Sequence, residues 1–319
     1  MEGQAGPEAL GAARGGAFSF GLADAEKPHS LVGRSRLPSS GLLRSSAHPS
    51  KAAETLRHPV KPAPRDIDLV IPLYRERESL PALFSALGRE QGLLGQGRVL
   101  FVDDASVDGS GDSVEAAIAR GLPFAATLLR HKKNRGLTAA LRTGFEASNS
   151  DALGWVDADL SYPIEIFAEL RQALAGGAGL AISSPWHPEG EAVDVPRLRV
   201  LLSRGLSSLY RILHDPRIYT WSGMVRLWRR ELLARCLPTR PGHLGVTESL
   251  VRAIQLGAEV VEVPARLAWE PGRRSGLRLG PAIRGHLGLL RDVLLDRLEP
   301  PVLTHDSSSG GSPDSSKDA

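Results

Sequence analysis

Apolar positions along the chain fall into short runs that alternate with amphipathic stretches, and the alternation begins abruptly after residue 65. Ile67, Leu69, Val70, Ile71 and Leu73 form a compact run between Pro64 and the charged stretch Arg75 to Glu78, as a buried strand would. Ser79 stands where a helix through Leu87 would be capped. Gly92, Gly95 and Gly97 then mark a loop before a second buried run, Val99 to Val102, which ends at Asp103. Asp108-Gly109-Ser110 opens another helix, with Val114, Ala117 and Ile118 at helical spacing. A strand from Phe124 to Leu129 follows, then a helix with Leu137, Ala140, Leu141, Gly144 and Phe145 on its inner face, and a fourth strand from Leu153 to Val156. Beyond Pro163 the spacing predicts a helix to Ala175, a strand at Leu180 to Ser183, a Pro/Gly loop to Val195, and a long helix from Pro196 to Leu213. After it come a strand-like stretch from Ile218 to Trp228, helices at Arg229 to Cys236 and Val246 to Leu256, and strands near Val260 to Val263 and Arg266 to Trp269. A last helix runs from Pro281 to Leu298, with Ile283, Leu287, Leu290, Leu294 and Leu298 as its apolar face. That face suits either a membrane surface or, preferably, packing onto the preceding domain.

Strand and helix in regular alternation predict an α/β fold, a mostly parallel sheet with helices on both faces. Ligands in such sheets sit beyond the carboxyl ends of the strands. The polar residues that close the first, second and fourth strands, namely Tyr74 and Glu76, Asp103 and Asp104, Asp157 and Asp159, are therefore expected to converge on one edge.

Composition sharpens the boundaries. Of 319 residues, 1–64 and 303–319 are built from Gly, Ser, Ala, Pro and charge without hydrophobic periodicity, and both read as disordered tails around a core at 65–302. The first tail lacks the apolar centre of a signal peptide. Cys236 is the only cysteine, so no internal disulfide forms and a reducing compartment is compatible. A net charge of +3 argues against nucleic-acid binding driven by bulk charge. No apolar run reaches the length of about eighteen residues that a spanning helix needs.

Candidate chemistry centres on Trp155-Val156-Asp157-Ala158-Asp159. In extended backbone, i and i+2 project to the same side, so Asp157 and Asp159 can share a hard divalent cation, Mg²⁺ or Mn²⁺, whose other ligands are water and phosphate oxygens. In Asp103-Asp104 adjacent side chains point oppositely, so one at most faces a ligand while the other ties down the turn. Asp108 fits a turn or cap.

Taken together, Val70-Ile71-Pro72-Leu73-Tyr74-Arg75-Glu76, Val102-Asp103-Asp104-Ala105-Ser106-Val107-Asp108-Gly109-Ser110, Asn134-Arg135-Gly136-Leu137 and Asp157-Ala158-Asp159-Leu160-Ser161 resemble the ordered motifs of family 2 glycosyltransferases with the GT-A fold. Within that family the chain is most similar to the dolichol-phosphate and polyprenyl-phosphate mannosyltransferase branch. Arg199-Val200-Leu201-Leu202-Ser203-Arg204-Gly205 resembles its Arg-x-x-x-Ser-Arg-Gly segment, Trp221 to Arg229 its Ser-Gly-Phe-Arg-Leu-Tyr-Arg segment, and Glu248 and Glu262 fall in register. The resemblance implies a glycosyltransferase domain over 65–278, its nucleotide half at about 65–162 and its acceptor half at about 163–278, followed by the helical segment 279–302. It implies that Pro72, Tyr74, Glu76 and Asp104, beside Asp103, line a nucleoside pocket. It implies further that Asp157, Asp159 and Ser161 face a metal and the donor diphosphate, and that Arg199, Ser203 and Arg226 handle phosphate charge.

The implied reaction moves a hexose from GDP-mannose or UDP-glucose to a polyprenyl phosphate, with peripheral contact to a membrane or a membrane-protein partner on the cytoplasmic side and no role for nucleic acid. Several positions depart from the branch. Arg75 replaces the usual Asn. Ser183-Ser184-Pro185-Trp186 stands where Gly-Ser-Arg-Tyr is common, so one expected acceptor-phosphate Arg is missing. Arg273-Arg274-Ser275-Gly276 lacks a Lys, for which Arg273, Arg274 and Arg278 are electrostatic substitutes, and Ser161 replaces a frequent Gln. Those departures leave open a catalytically weak or inactive nucleotide-sugar-binding protein. Asp157-x-Asp159-x-Ser161 also resembles the box of Asp-x-Asp phosphatases, which normally follows the first strand of its domain, whereas three strands precede it here.

Overall fold

The computed structural model describes residues 62–269, 279–295 and 297–298; residues 1–61 of the first expected tail, the end of the expected helical segment at 299–302, the second tail at 303–319, and the segment with Arg273, Arg274 and Arg278 lie outside the described residues. The first half runs β1 (Ile67–Leu73), α1 (Leu80–Arg89), β2 (Val99–Asp103), α2 (Ser110–Arg120), β3 (Ala126–Arg130), α3 (Leu137–Ala147) and β4 (Ala152–Trp155). These four strands are parallel, in the spatial order β3-β2-β1-β4. The chain steps outward from β1 to β2 to β3 and then returns to the opposite side of β1 as β4. That reversal opens a crevice at the carboxyl ends of β1 and β4, where open α/β sheets bind their ligands. Helix α3 lies close against β1 because Gly144 has no side chain; a Cβ there would stand 2.3 Å from a Val70 methyl.

The second half adds α4 (Ile166–Ala175), β5 (Leu180–Ser184), β6 (Glu191–Val193), α5 (Arg197–Leu213), β7 (Arg226–Arg229), α6 (Arg230–Cys236), α7 (His243–Gln255), β8 (Val260–Pro264), β9 (Arg266–Ala268) and α8 (Leu279–Leu294). The sheet continues from β4 through β7 and β5 to β8, and β7 runs antiparallel to both its neighbours. Strand β5 therefore points the same way as β4, and its end joins the same edge. Strands β6 and β9 pair separately. Only the last third of the strand-like stretch Ile218 to Trp228 is a strand. Upstream, Ile218, Trp221 and Met224 are buried individually, and Glu262 accepts the Tyr219 and Thr220 amides at 2.6 and 2.7 Å, so that backbone is satisfied without a ladder.

Arg226 starts β7 opposite Trp155 of β4 and Ile182 of β5 and is wholly buried. Its guanidinium donates to three main-chain carbonyls, from Nε to Gly223 at 2.8 Å and from the two terminal nitrogens to Val246 at 2.7 Å and Trp221 at 2.9 Å. Burial pushes its pKa down to about 9, with Glu262 and Tyr162 opposing, which leaves it cationic at neutral pH. The expectation that Arg226 handles substrate phosphate is corrected here: the side chain is committed to holding the Trp221–Gly223 loop and the first turn of α7 onto the sheet.

Helix α8 packs back on the domain, but through a face rotated from the expected one. His286, Leu289 and Leu290 are buried, with His286 Nδ1 3.2 Å from the Tyr210 hydroxyl, while Ile283, Leu287 and Leu294 stay exposed. The helix is apolar on two sides, and the periodicity alone does not say which turns inward. Among the described residues no helix is long and apolar enough to cross a membrane.

Replacing Arg226 by Met removes three charge-assisted hydrogen bonds from the interior and is expected to cost about 3 kcal/mol or more, a fall in Tm of roughly 6–12 °C. Thermal unfolding followed by circular dichroism checks this, and an unchanged Tm would contradict the scaffold role.

Candidate active site

The turns that follow β1 and β2 are sewn together by the polar residues of the second motif. Ser106 Oγ accepts the Arg75 amide at 3.2 Å, Asp108 the Arg77 amide at 3.1 Å, and Ser110 Oγ the Glu76 amide at 2.9 Å while donating to Asp108 at 2.6 Å. Burial works to raise the Asp108 pKa, yet hydrogen bonds from Ser110 and from the Arg77 amide outweigh it and leave the carboxyl below its usual range. Asp108 thus serves the turn. Arg75, Ala105 and Leu160 have φ of 62°, 59° and 55°, so each chain segment leaving β1, β2 and β4 carries a non-glycine residue in left-handed backbone. Strain of this kind persists only where surrounding bonds over-determine it, and it gathers at ligand edges.

Asp104 accepts three bonds, from His131 Nδ1 at 2.6 Å and from the Arg135 and Gly136 amides at 2.8 and 2.7 Å. It clamps the Asn134-Arg135-Gly136 motif against the end of β2, and His131 is held in turn by Thr143 at 2.9 Å. Asp103 accepts the Ser106 amide at 3.0 Å and packs against Gly111. Both acids therefore shape the edge, where one was expected to face a ligand. Pro72 lies in β1 and is half-buried, Tyr74 is 45% exposed with the Arg75 guanidinium 5.3 Å from its ring centroid, and Glu76 accepts from Ser79 Oγ at 3.2 Å.

Past the end of β4, Asp159 Oδ1 accepts the Ser161 amide at 2.8 Å and the Ser161 hydroxyl at 2.5 Å. Ser161 thereby orients a carboxylate, a task different from the metal-facing position expected for it. Burial first, and then the Asp157 charge, push the pKa of the nearby Tyr162 hydroxyl upward, so it stays neutral. Among the described residues no group of three or more His, Cys, Asp or Glu forms a metal cage. Two hard carboxylates suit a cation that completes its shell with water and phosphate oxygens, as Mg²⁺ and Mn²⁺ do.

Two of the residues expected to handle phosphate charge lie on α5. Arg199 and Ser203 lie one turn apart on α5, with the Arg199 guanidinium 4.4 Å from the Trp269 ring centroid and Ser203 Oγ accepting from Trp186 Nε1 at 3.1 Å. His243 opens α7, with one side open to solvent. Desolvation by the surrounding chain lowers its pKa, with Arg199 and Arg226 adding to the shift and Asp159 opposing it. Sequence reasoning missed His243 because it began that helix at Val246; the Pro241-Gly242 pair before it was the available signal. Glu248 is buried and accepts from Thr239, the Arg240 amide and Arg252. Burial would raise its pKa, but these bonds win and hold it low.

Residues 68–237 match the model of the family described as glycosyl transferase family 2. The chain belongs to that family. Polyprenol monophosphomannose synthase of Mycolicibacterium smegmatis is 32% identical over 211 residues, 64% of this chain and 78% of the relative. Undecaprenyl-phosphate mannosyltransferase of Micrococcus luteus is 33% identical over 202 residues, 61% of this chain and 80% of the relative. Glucosyl-3-phosphoglycerate synthase of Mycobacterium tuberculosis, solved with Mn²⁺, UDP-glucose and phosphoglyceric acid, superposes with a TM-score of 0.54 at 20% identity, covering 73% of this chain and 79% of that one. That likeness shows the GT-A fold for this family 2 glycosyltransferase.

Asp104→Ala is expected to free the clamped loop, so the Arg135 and Gly136 amides should exchange hydrogen about tenfold faster or more, as loss of charge-assisted bonds requires. Peptide-level hydrogen exchange reads this, and unchanged protection would refute the clamp.

Proposed function

We propose that this glycosyltransferase moves a hexose, mannose or glucose, from a nucleotide-sugar donor such as GDP-mannose or UDP-glucose onto a polyprenyl phosphate, inverting the anomeric carbon. The observation that carries the reading is the pair Asp157 and Asp159 just past the carboxyl end of β4, at the β1/β4 crevice, with Asp159 and Arg199 both acting on the charge of His243. Two relatives whose names specify a polyprenol or undecaprenyl phosphate support the acceptor class.

In this reading Tyr74 offers an open ring face to the base, and Pro72, Glu76, Asp103 and Asp104 form the pocket edge. Asp157 and Asp159 would hold Mg²⁺ or Mn²⁺. The ion when bound supplies positive charge against that developing on the departing diphosphate. A phosphate acceptor is already anionic at neutral pH, so the chain needs no strong general base, and Glu248, enclosed by its own donors, offers none. What the chain supplies is alignment: Asp159 held by Ser161, and the acceptor phosphate held by Arg199 and Ser203 at one end of α5. An apolar groove of 340 Å³ between the other end of α5 and α8, lined by Leu209, Leu213, Leu287, Leu290 and Leu294, suits an isoprenoid tail. With the exposed Leu198 and Leu201 of α5, it supports peripheral work on a membrane surface, directly or beside a membrane-protein partner. The buried lone thiol of Cys236 is compatible with the cytoplasmic side.

Transfer of labelled hexose from GDP-mannose or UDP-glucose to a polyprenyl phosphate tests the reading. The wild type should form lipid-linked sugar, chelation of divalent cations should stop it, and Asp159→Ala should lower kcat by about a hundredfold or more, the scale of removing transition-state charge stabilisation. Binding of donor without transfer to any polyprenyl phosphate would overturn it.

A further inference from the structure

The acceptor edge lacks one arginine that its motif leads one to expect, since Ser184, Pro185 and Trp186 occupy that loop. Pro185 stands at that position, and beside it Trp186 presents an indole engaged on two sides by consecutive residues of α5. Its Nε1–H donates to Ser203 Oγ at 3.1 Å, and the Arg204 guanidinium lies over its ring, 5.0 Å from the centroid. The indole is itself fixed. Its amide donates to Thr220 Oγ1 at 3.4 Å, Thr220 Oγ1 pairs with the buried Ser184 hydroxyl at 2.8 Å, and the Thr220 amide donates to Glu262 at 2.7 Å. Trp186 is thus half-buried and anchored to the end of β5, on the same sheet edge as Asp157.

Two consequences follow from donor and acceptor counting. An indole N–H only donates, so it occupies a lone pair of Ser203 Oγ and leaves the hydroxyl proton to point elsewhere. A guanidinium stacked on an indole keeps its in-plane N–H groups for an anion, whereas an unsupported helix arginine must first give up its rotamer freedom. Arg199, one turn earlier and backed by Trp269, faces the same side as Ser203.

We propose that Trp186 is a positioning residue for the acceptor phosphate: it aims the Ser203 hydroxyl and pre-sets Arg204, so that Arg204 supplies the positive charge missing from the loop. The phosphate monoester is then gripped by Arg199, Ser203 and Arg204. The inference rests on the acceptor assignment under Proposed function and deepens it.

Trp186→Phe keeps an aromatic face for Arg204 and the main-chain bonds of the loop, and removes the N–H together with part of the ring. It is expected to raise KM for a short isoprenyl phosphate about five- to tenfold, with KM for the nucleotide sugar unchanged. In a Ser203→Ala background the same change should have no further effect, because its target is gone; a merely structural role would add in both backgrounds. Arg204→Ala should weaken acceptor binding about tenfold or more and Arg204→Lys should recover part of it. Direct binding of citronellyl phosphate by calorimetry separates the two claims. If the wild type binds it but transfers no sugar, the functional reading fails while the comparison of wild type with Trp186→Phe still decides this one. Equal acceptor affinity and KM in the two proteins, a full Trp186→Phe effect in the Ser203→Ala background, or no binding by the wild type would each overturn it.

Discussion

A single buried guanidinium holds the two halves of the sheet edge in register. Arg226 sits opposite Trp155, two residues before Asp157, and its three bonds reach the Trp221–Gly223 loop and the start of α7. Beside those segments stand Thr220, which anchors the Trp186 loop, and His243, on whose charge Asp159 and Arg199 both act. Desolvating a charge is expensive unless every donor finds a partner. Here the partners are carbonyls of the irregular loop and of the first turn of α7, which accept the guanidinium's N–H groups and so satisfy the buried charge. The antiparallel β7 is what places it there.

Around that scaffold the acids at the strand ends divide into two kinds. Asp103, Asp104 and Asp108 spend their lone pairs on backbone amides and on His131, building the turns that keep Arg75 and Ala105 in left-handed backbone. Asp159 is oriented by its own turn through Ser161. These acids are held by hydrogen bonds within the chain itself, an arrangement that suits catalysis by alignment and fixed charge.

Much of this was legible in the sequence. The strand-helix alternation predicted the parallel half of the sheet, and the carboxyl ends of β1, β2 and β4, which those acids follow, lie along one edge. The roles of individual side chains were less legible. Arg226 looks like a phosphate ligand in a string of letters because an arginine between apolar neighbours signals commitment, without saying to what; only the paths of the Trp221–Gly223 loop and of α7 bring two carbonyls and one carbonyl, respectively, to its guanidinium. Asp103 and Asp104 alternate as adjacent strand residues do, yet both serve turns, because the loops they bind come from distant positions such as Arg135. The face of α8 was misassigned by one position, since a helix with apolar residues on two sides takes its inner face from Tyr210 and its neighbours. His243 went unseen because a glycine-rich helix start weakens the periodic signal.

The account's central claim is that donor diphosphate and metal meet at the β1/β4 crevice, facing α5. Crystals of the protein grown with Mn²⁺ and a nucleoside diphosphate, measured for the anomalous signal of manganese, test it most directly. The account predicts one strong peak within coordination distance of the Asp157 and Asp159 carboxylates and of the diphosphate, with the base beside Tyr74. A manganese peak away from both carboxylates, or a nucleotide bound off that edge, would contradict it.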